Sequence, residues 1–173
     1  MKRRDLLLAA SAALTALHGG TALADLPRVR TMEGALAWLE TLEKSPQARS
    51  TGAWPLGAML EHMAQSVEMS MDGFPQPHSA LFQQTAGAGA FAFFKWRGRM
   101  SHKLSEPIPG APPLRAGNEW RPAASRLKTA ILRFGQHTGP LRPHFAYGAL
   151  DKADFALAHA MHIANHQDEV VTA

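Results

Sequence analysis

Apolar residues recur every three or four positions along most of this chain, the spacing that puts them on one face of an α-helix. Val29, Met32, Leu36 and Leu39 predict a first helix reaching about Lys44. Pro55 sits where a helix can start, because the first turn does not need its missing N–H. Leu56, Leu60, Met63, Val67 and Met71 then form a second stripe that stops at Gly73-Phe74-Pro75. A third clean stripe runs through Trp120, Ala124, Leu127, Ile131 and Phe134. The last helix is expected from Asp151, an N-cap with a reciprocal acid at Asp154, to about Thr172.

The stretch "SALFQQTAGAGAFAFFKWRGRMSHK" is ambiguous, since Gly87 and Gly89 weaken both helix and strand. Helix is preferred because nothing nearby offers a strand partner. "KSPQARSTGAW", "EPIPGAPPLRAGN" and "TGPLRPHFAYG" read as loops. The fold class expected is all-α, four main helices plus a short extra helical segment and long proline-rich loops. No repeat, low-complexity tract or second domain is visible.

The N-terminus changes how the charge is read. "MKRRDLLLAASAALTALHGGTALAD" has a basic start, a short Ala/Leu run and an Ala22-Leu23-Ala24 end, the pattern of a signal peptide over residues 1–24. The apolar run is too short to span a bilayer. Arg3-Arg4 followed by Leu6-Leu7 resembles a twin-arginine export signal, although Lys2 and Leu6 depart from the usual pattern. The expected location is therefore the periplasm, with residues 25–173 as the mature domain and no membrane contact after cleavage. Three of the 18 basic and one of the 14 acidic residues leave with the signal, so the net charge falls from +4 to about +2. No basic stripe with interleaved aromatics remains, which argues against nucleic acid as a partner. The absence of cysteine excludes disulfides and thiol nucleophiles.

Candidate chemistry concentrates in "HAMHIANHQDE". Phe155, His159, His162 and His166 fall within an arc of about 60° on a helix. No Lys or Arg follows Ala153, so this helix should be buried and its histidine face should point inward. Buried imidazoles need partners, and a divalent ion supplies one for several rings at once. His162 and His166 stand four apart, the spacing that lets two rings reach one ion. Taken alone, such a pair is more often a surface feature than a ligand set. It is no zinc-protease motif either, because Ile163 stands where that motif has its glutamate. A third ligand has to come from elsewhere. His62 is the first candidate, on a mixed face with Met59, Ser66 and Met69, and His144 the second. His78, His102 and His137, in or beside loops, are expected to be solvated.

The pieces "WPLGAMLEHMAQSVEMSMDGFP", "GRMSHKLSEPIPGA", "HFAYGALDKADF" and "HAMHIANH" occur in an order that resembles a bacterial family of unknown function (domain-of-unknown-function fifteen sixty-nine). That family lies in the DinB/YfiT-like group of metal-binding four-helix bundles, and the similarity spans nearly the whole mature chain. The resemblance implies a four-helix bundle in which His62, His162 and His166 bind a divalent metal. It implies that His159 backs a ligand or faces substrate. Asn165 stands where the family often has histidine. Three neutral histidines would leave a fourth position open, where water can be acidified or a thiolate held. Relatives in the wider group include thiol-dependent transferases and isomerases. The functional expectation is a metal-dependent transferase or hydrolase acting on a small molecule. The alternative is a non-catalytic metal-binding or interaction module, and a homodimer is compatible with either. Zinc, nickel, iron and manganese all accept imidazole and are not distinguished.

Overall fold

The computed structural model describes residues 27–115 and 119–172. The expected signal peptide lies outside the described residues. The described chain is mostly helical: α1 (Met32–Glu43), α2 (Leu56–Asp72), α3 (Ala80–Phe82), a π-turn (Gln83–Gly87), α4 (Ala88–Arg97), α5 (Arg121–Gln136) and α6 (Lys152–Gln167). Two-residue strands β1 (Arg49–Ser50) and β2 (Val170–Val171) pair antiparallel. No described helix is long and apolar enough to cross a membrane.

Local chemistry sets the helix ends. Thr31 caps α1 by accepting the Gly34 N–H at 3.0 Å, and Asp151 caps α6 by accepting the Asp154 N–H at 2.7 Å. The expected reciprocal contact from Asp154 is replaced by an ion pair with Lys95 of α4. Lys152, the first residue of α6, donates to the carbonyls of Gly135 and His137 and so closes the C-terminus of α5.

The main core lies where α1 and α2 each pack against both α5 and α6. Met32, Ala35, Trp38, Leu39 and Leu42 form the inward face of α1, which includes Met32 and Leu39 of the expected stripe, while Leu36 is half-buried at its edge. α2 departs from its stripe. Nearly all of its side chains from Leu56 to Met71 are buried, so His62, expected on a flanking face, is inside with the rest. The α2–α5 seam is stitched by Arg126, which meets Glu61 at 3.0 Å and Glu68 at 2.7 Å, and by Arg133 paired with Asp72.

The ambiguous segment is helical from Ala80 to Arg97, interrupted by the π-turn, and non-helical from Gly98 to Lys103. It packs on α6 through a small second cluster of Phe91, Met100, Ala158 and Met161. Gly87 is required by close approach: a Cβ there would overlap the Ala146 carbonyl. α6 stops at Gln167, five residues short of the expected end, because Val170 and Val171 leave the helix to pair with Ser50 and Arg49. The stretch read as a loop before Pro55 therefore contributes a strand. Arg28 gripping Asp168 and the Gln167 side chain bridging Pro27 and Val29 hold the same end of α6.

Candidate metal centre

His62 comes from the middle of α2, and His162 and His166 from adjacent turns of α6. The α2–α6 packing brings them together. One nitrogen from each lies within 4.8 Å of the other two. His62 Nε2 and His162 Nε2 are 3.1 Å apart, and the three ring centroids are 4.9 to 5.1 Å from one another. Nitrogens at about 2.05 Å from a tetrahedral ion stand roughly 3.3 Å apart, so small side-chain shifts would seat one.

The unmet hydrogen-bonding capacity favours an ion over a simple hydrogen-bonded cluster. His166 is fully buried, and both Nδ1 and Nε2 lack a partner. His62 Nδ1 is also buried without one. A single N–H···N bond between His62 and His162 would satisfy one pair and leave His166 orphaned, at a desolvation cost of about 1–3 kcal/mol per group. A divalent ion occupies one nitrogen on each ring together.

Electrostatics agree with ligation by neutral rings. Burial, with His102 nearby, lowers the His62 pKa to about 4. Burial lowers His166 to about 3, with His62 and His102 adding to the effect. His162 is held well below its ordinary value by burial and by the neighbouring rings. At neutral pH all three therefore offer lone pairs rather than charge.

Other groups around the cluster were not legible in periodicity. Trp54, just before α2, lies with its ring 5.0 Å from His62 and 6.3 Å from His166. His102 is exposed, as expected, yet has its ring 5.0 Å from His162 and 5.5 Å from His166. Its Nδ1 faces the Lys103 carbonyl at 3.1 Å. A carbonyl can only accept, so Nδ1 carries the proton and Nε2 of the neutral ring a lone pair. The one available signal for these two residues was the family-like motif containing each; a loop carries no stripe.

His144, the second candidate for third ligand, is not in the nitrogen cluster. It sits in a turn closed by Gly148, whose φ of 76° suits glycine, with His144 N–H donating to the Gly148 carbonyl at 2.7 Å. His78 is exposed, and it lines the same cavity as His144. His137 is half-buried, with Nε2 unpartnered, at the end of α5. Neither of these two joins the cluster. His159, 2% exposed, has its ring between Phe134 and Phe155, and its Nε2 is unpartnered. Glu61, adjacent to His62 in sequence, is turned away to Arg126 and the Arg115 N–H. Glu169 lies by Gly52 and Thr51. A cavity of about 310 Å³ opens beside His62 and His162.

The fold and the histidine cluster define an α-helical protein with a candidate three-histidine metal site. The chain belongs to the family described as protein of unknown function DUF1569, whose model matches residues 25–173. No curated protein and no solved structure matches it.

Proposed function

We propose that this protein binds one divalent metal ion through His62, His162 and His166 and uses it as a metal-dependent transferase or hydrolase acting on a small molecule. The carrying observation is His166, whose two ring nitrogens are buried at the centre of the cluster with no partner. The adjoining cavity supports catalysis over a purely structural ion, because it gives a ligand access to the His62–His162 side. When bound, the ion would supply a Lewis-acid centre at that wall.

The arrangement of α1, α2, α5 and α6, with ligands from the second and last helices, supports placement in the DinB/YfiT-like group of four-helix bundles. Export to the periplasm rests on the N-terminal pattern and on the family match starting at Asp25, the residue after the expected cleavage point. Replacing Arg3-Arg4 with lysines should abolish export by the twin-arginine route; unchanged secretion would remove that part of the proposal.

Elemental analysis of the purified protein tests the metal site directly. About one divalent ion per chain is expected, and His162→Ala should lose most of it. A wild type that neither contains nor takes up a divalent ion would overturn the reading. An ion bound so that exogenous ligands never perturb a cobalt spectrum would point to the non-catalytic alternative.

A further inference from the structure

The cavity beside the cluster has chemistry of its own. Met100, Ile108, Tyr147 and Ala158 give it apolar walls, and no Lys or Arg is among its lining residues. The acid that lines it, Glu106, is exposed. Away from the metal cluster, a phosphate, sulfonate or carboxylate group would find no Lys or Arg to offset its desolvation. At about 310 Å³ the cavity is at the small end of ligand pockets.

His144 gives this space a direction. Its Nδ1 accepts the backbone N–H groups of Ala146 at 3.1 Å and Tyr147 at 3.2 Å. The neutral ring therefore carries its proton on Nε2, the edge facing away from its own turn. Tyr147 stacks on the ring at 4.2 Å and 7°, fixing its plane. His159 lines the same cavity with its Nε2 unpartnered, and among the described residues no hydrogen bond joins it to His144. The metal cluster and the N–H donor on the His144 turn are thus two polar loci of a lining that also includes Ser66, His78, His102 and Glu106.

We infer that the cavity takes a small molecule with an uncharged, largely apolar body, whose metal-ligating head meets the His62–His162 side while a carbonyl or amide oxygen on that body takes the His144 Nε2–H. This deepens the proposed function and rests on it for the head group. The structure assigns His144 the role of a specificity-determining contact rather than a metal ligand.

Hydroxamates test the inference with the full chain loaded with cobalt. Acetohydroxamate carries the head alone, benzohydroxamate adds an apolar ring, and 3- or 4-carbamoylbenzohydroxamate adds an acceptor. Benzohydroxamate should bind at least about ten-fold tighter than acetohydroxamate. One carbamoyl isomer should gain a further factor of about three to ten. A 4-sulfonate should lose affinity. His144→Phe removes both ring nitrogens, and His144→Asn keeps an acceptor for the Ala146 and Tyr147 N–H groups without the Nε2–H, so both should erase the carbamoyl gain. Equal affinities for all probes in a cobalt-loaded protein, or a carbamoyl gain that survives His144→Phe, would overturn the inference. Failure to bind cobalt would instead sink the metal reading and the head-group assignment with it. The cavity then has a separate readout in metal-free protein, where benzamide should shift the Met100 and Ile108 methyl resonances and His144→Phe should weaken it; no shift counts against the acceptor site.

Discussion

His166 carries two ring nitrogens into the interior, and neither finds a partner there. The same side chain should therefore change sign in its effect on stability with the state of the site. In metal-free protein, His166→Leu removes two desolvated polar atoms at similar volume and should raise stability by about 1 kcal/mol. In metal-loaded protein it removes a ligand and should lower stability, because ion binding is linked to folding. Thermal melts of wild type and variant, each with a chelator and with saturating zinc, measure the crossing. A variant that shifts both melts the same way would show that the ring is not a ligand. Little of this was legible residue by residue. The i, i+4 spacing of His162 and His166 is local and visible in the chain, whereas His62 offers no local sign of a ligand, since its partners lie 100 and 104 positions away.

The element that braces the cavity's His144 loop from outside is the interrupted helix Ala80–Arg97, the least legible segment in sequence; none of its residues lines the cavity. Its apolar residues form no single stripe, because the π-turn shifts the register midway. Gln83, at the start of that turn, donates to the carbonyls of His144 and Phe145, and Gly87 at its end lies against the Ala146 carbonyl. The turn thus meets the His144 loop at both of its ends, through Gln83 and Gly87. Gly87→Ala should cost about 1–3 kcal/mol, since backbone must move to admit the methyl group. Gly89→Ala, two residues on in α4 with nothing near its added Cβ, should instead gain roughly 0.5–1 kcal/mol. Urea unfolding of the two variants compares them; equal effects would show that the contact with Ala146 is not specific. The same segment leaves Leu81, Phe93 and Trp96 exposed, so hydrophobicity alone did not reveal which of its faces is buried.

For the molecule as a whole, the buried histidines set a pH limit. Burial lowers His144 and His159 to about 3 and His62 to about 4, against about 6.5 in an unfolded chain. Between those values the unfolded chain binds protons that the folded chain refuses. Stability is then complete above pH 6.5 and is lost progressively as pH falls through that window. Each such histidine adds up to about 1.4 kcal/mol per pH unit to the slope. The urea midpoint of the metal-free protein should fall steadily from pH 7 to pH 5, and a bound ion should steepen the loss because protons compete for its ligands. A midpoint flat across this range would mean that these rings are solvated in the folded state.

The chain by itself determined what depends on neighbours a few residues apart. Helical periodicity, the Asp151 cap, the breaks at glycine and proline, and the inward histidine face of α6 all follow from local sterics and hydrogen bonding. Only the tertiary structure decided what depends on distant contacts. Packing buried α2 on nearly every side, brought His62 to α6, and set Trp54 and His102 beside the cluster. Pairing with Arg49 and Ser50 ended α6 early, against its helical pattern. These outcomes required one segment to supply the hydrogen bonds, apolar surface or ring contacts of another, and periodicity within a segment carries no information about its partner.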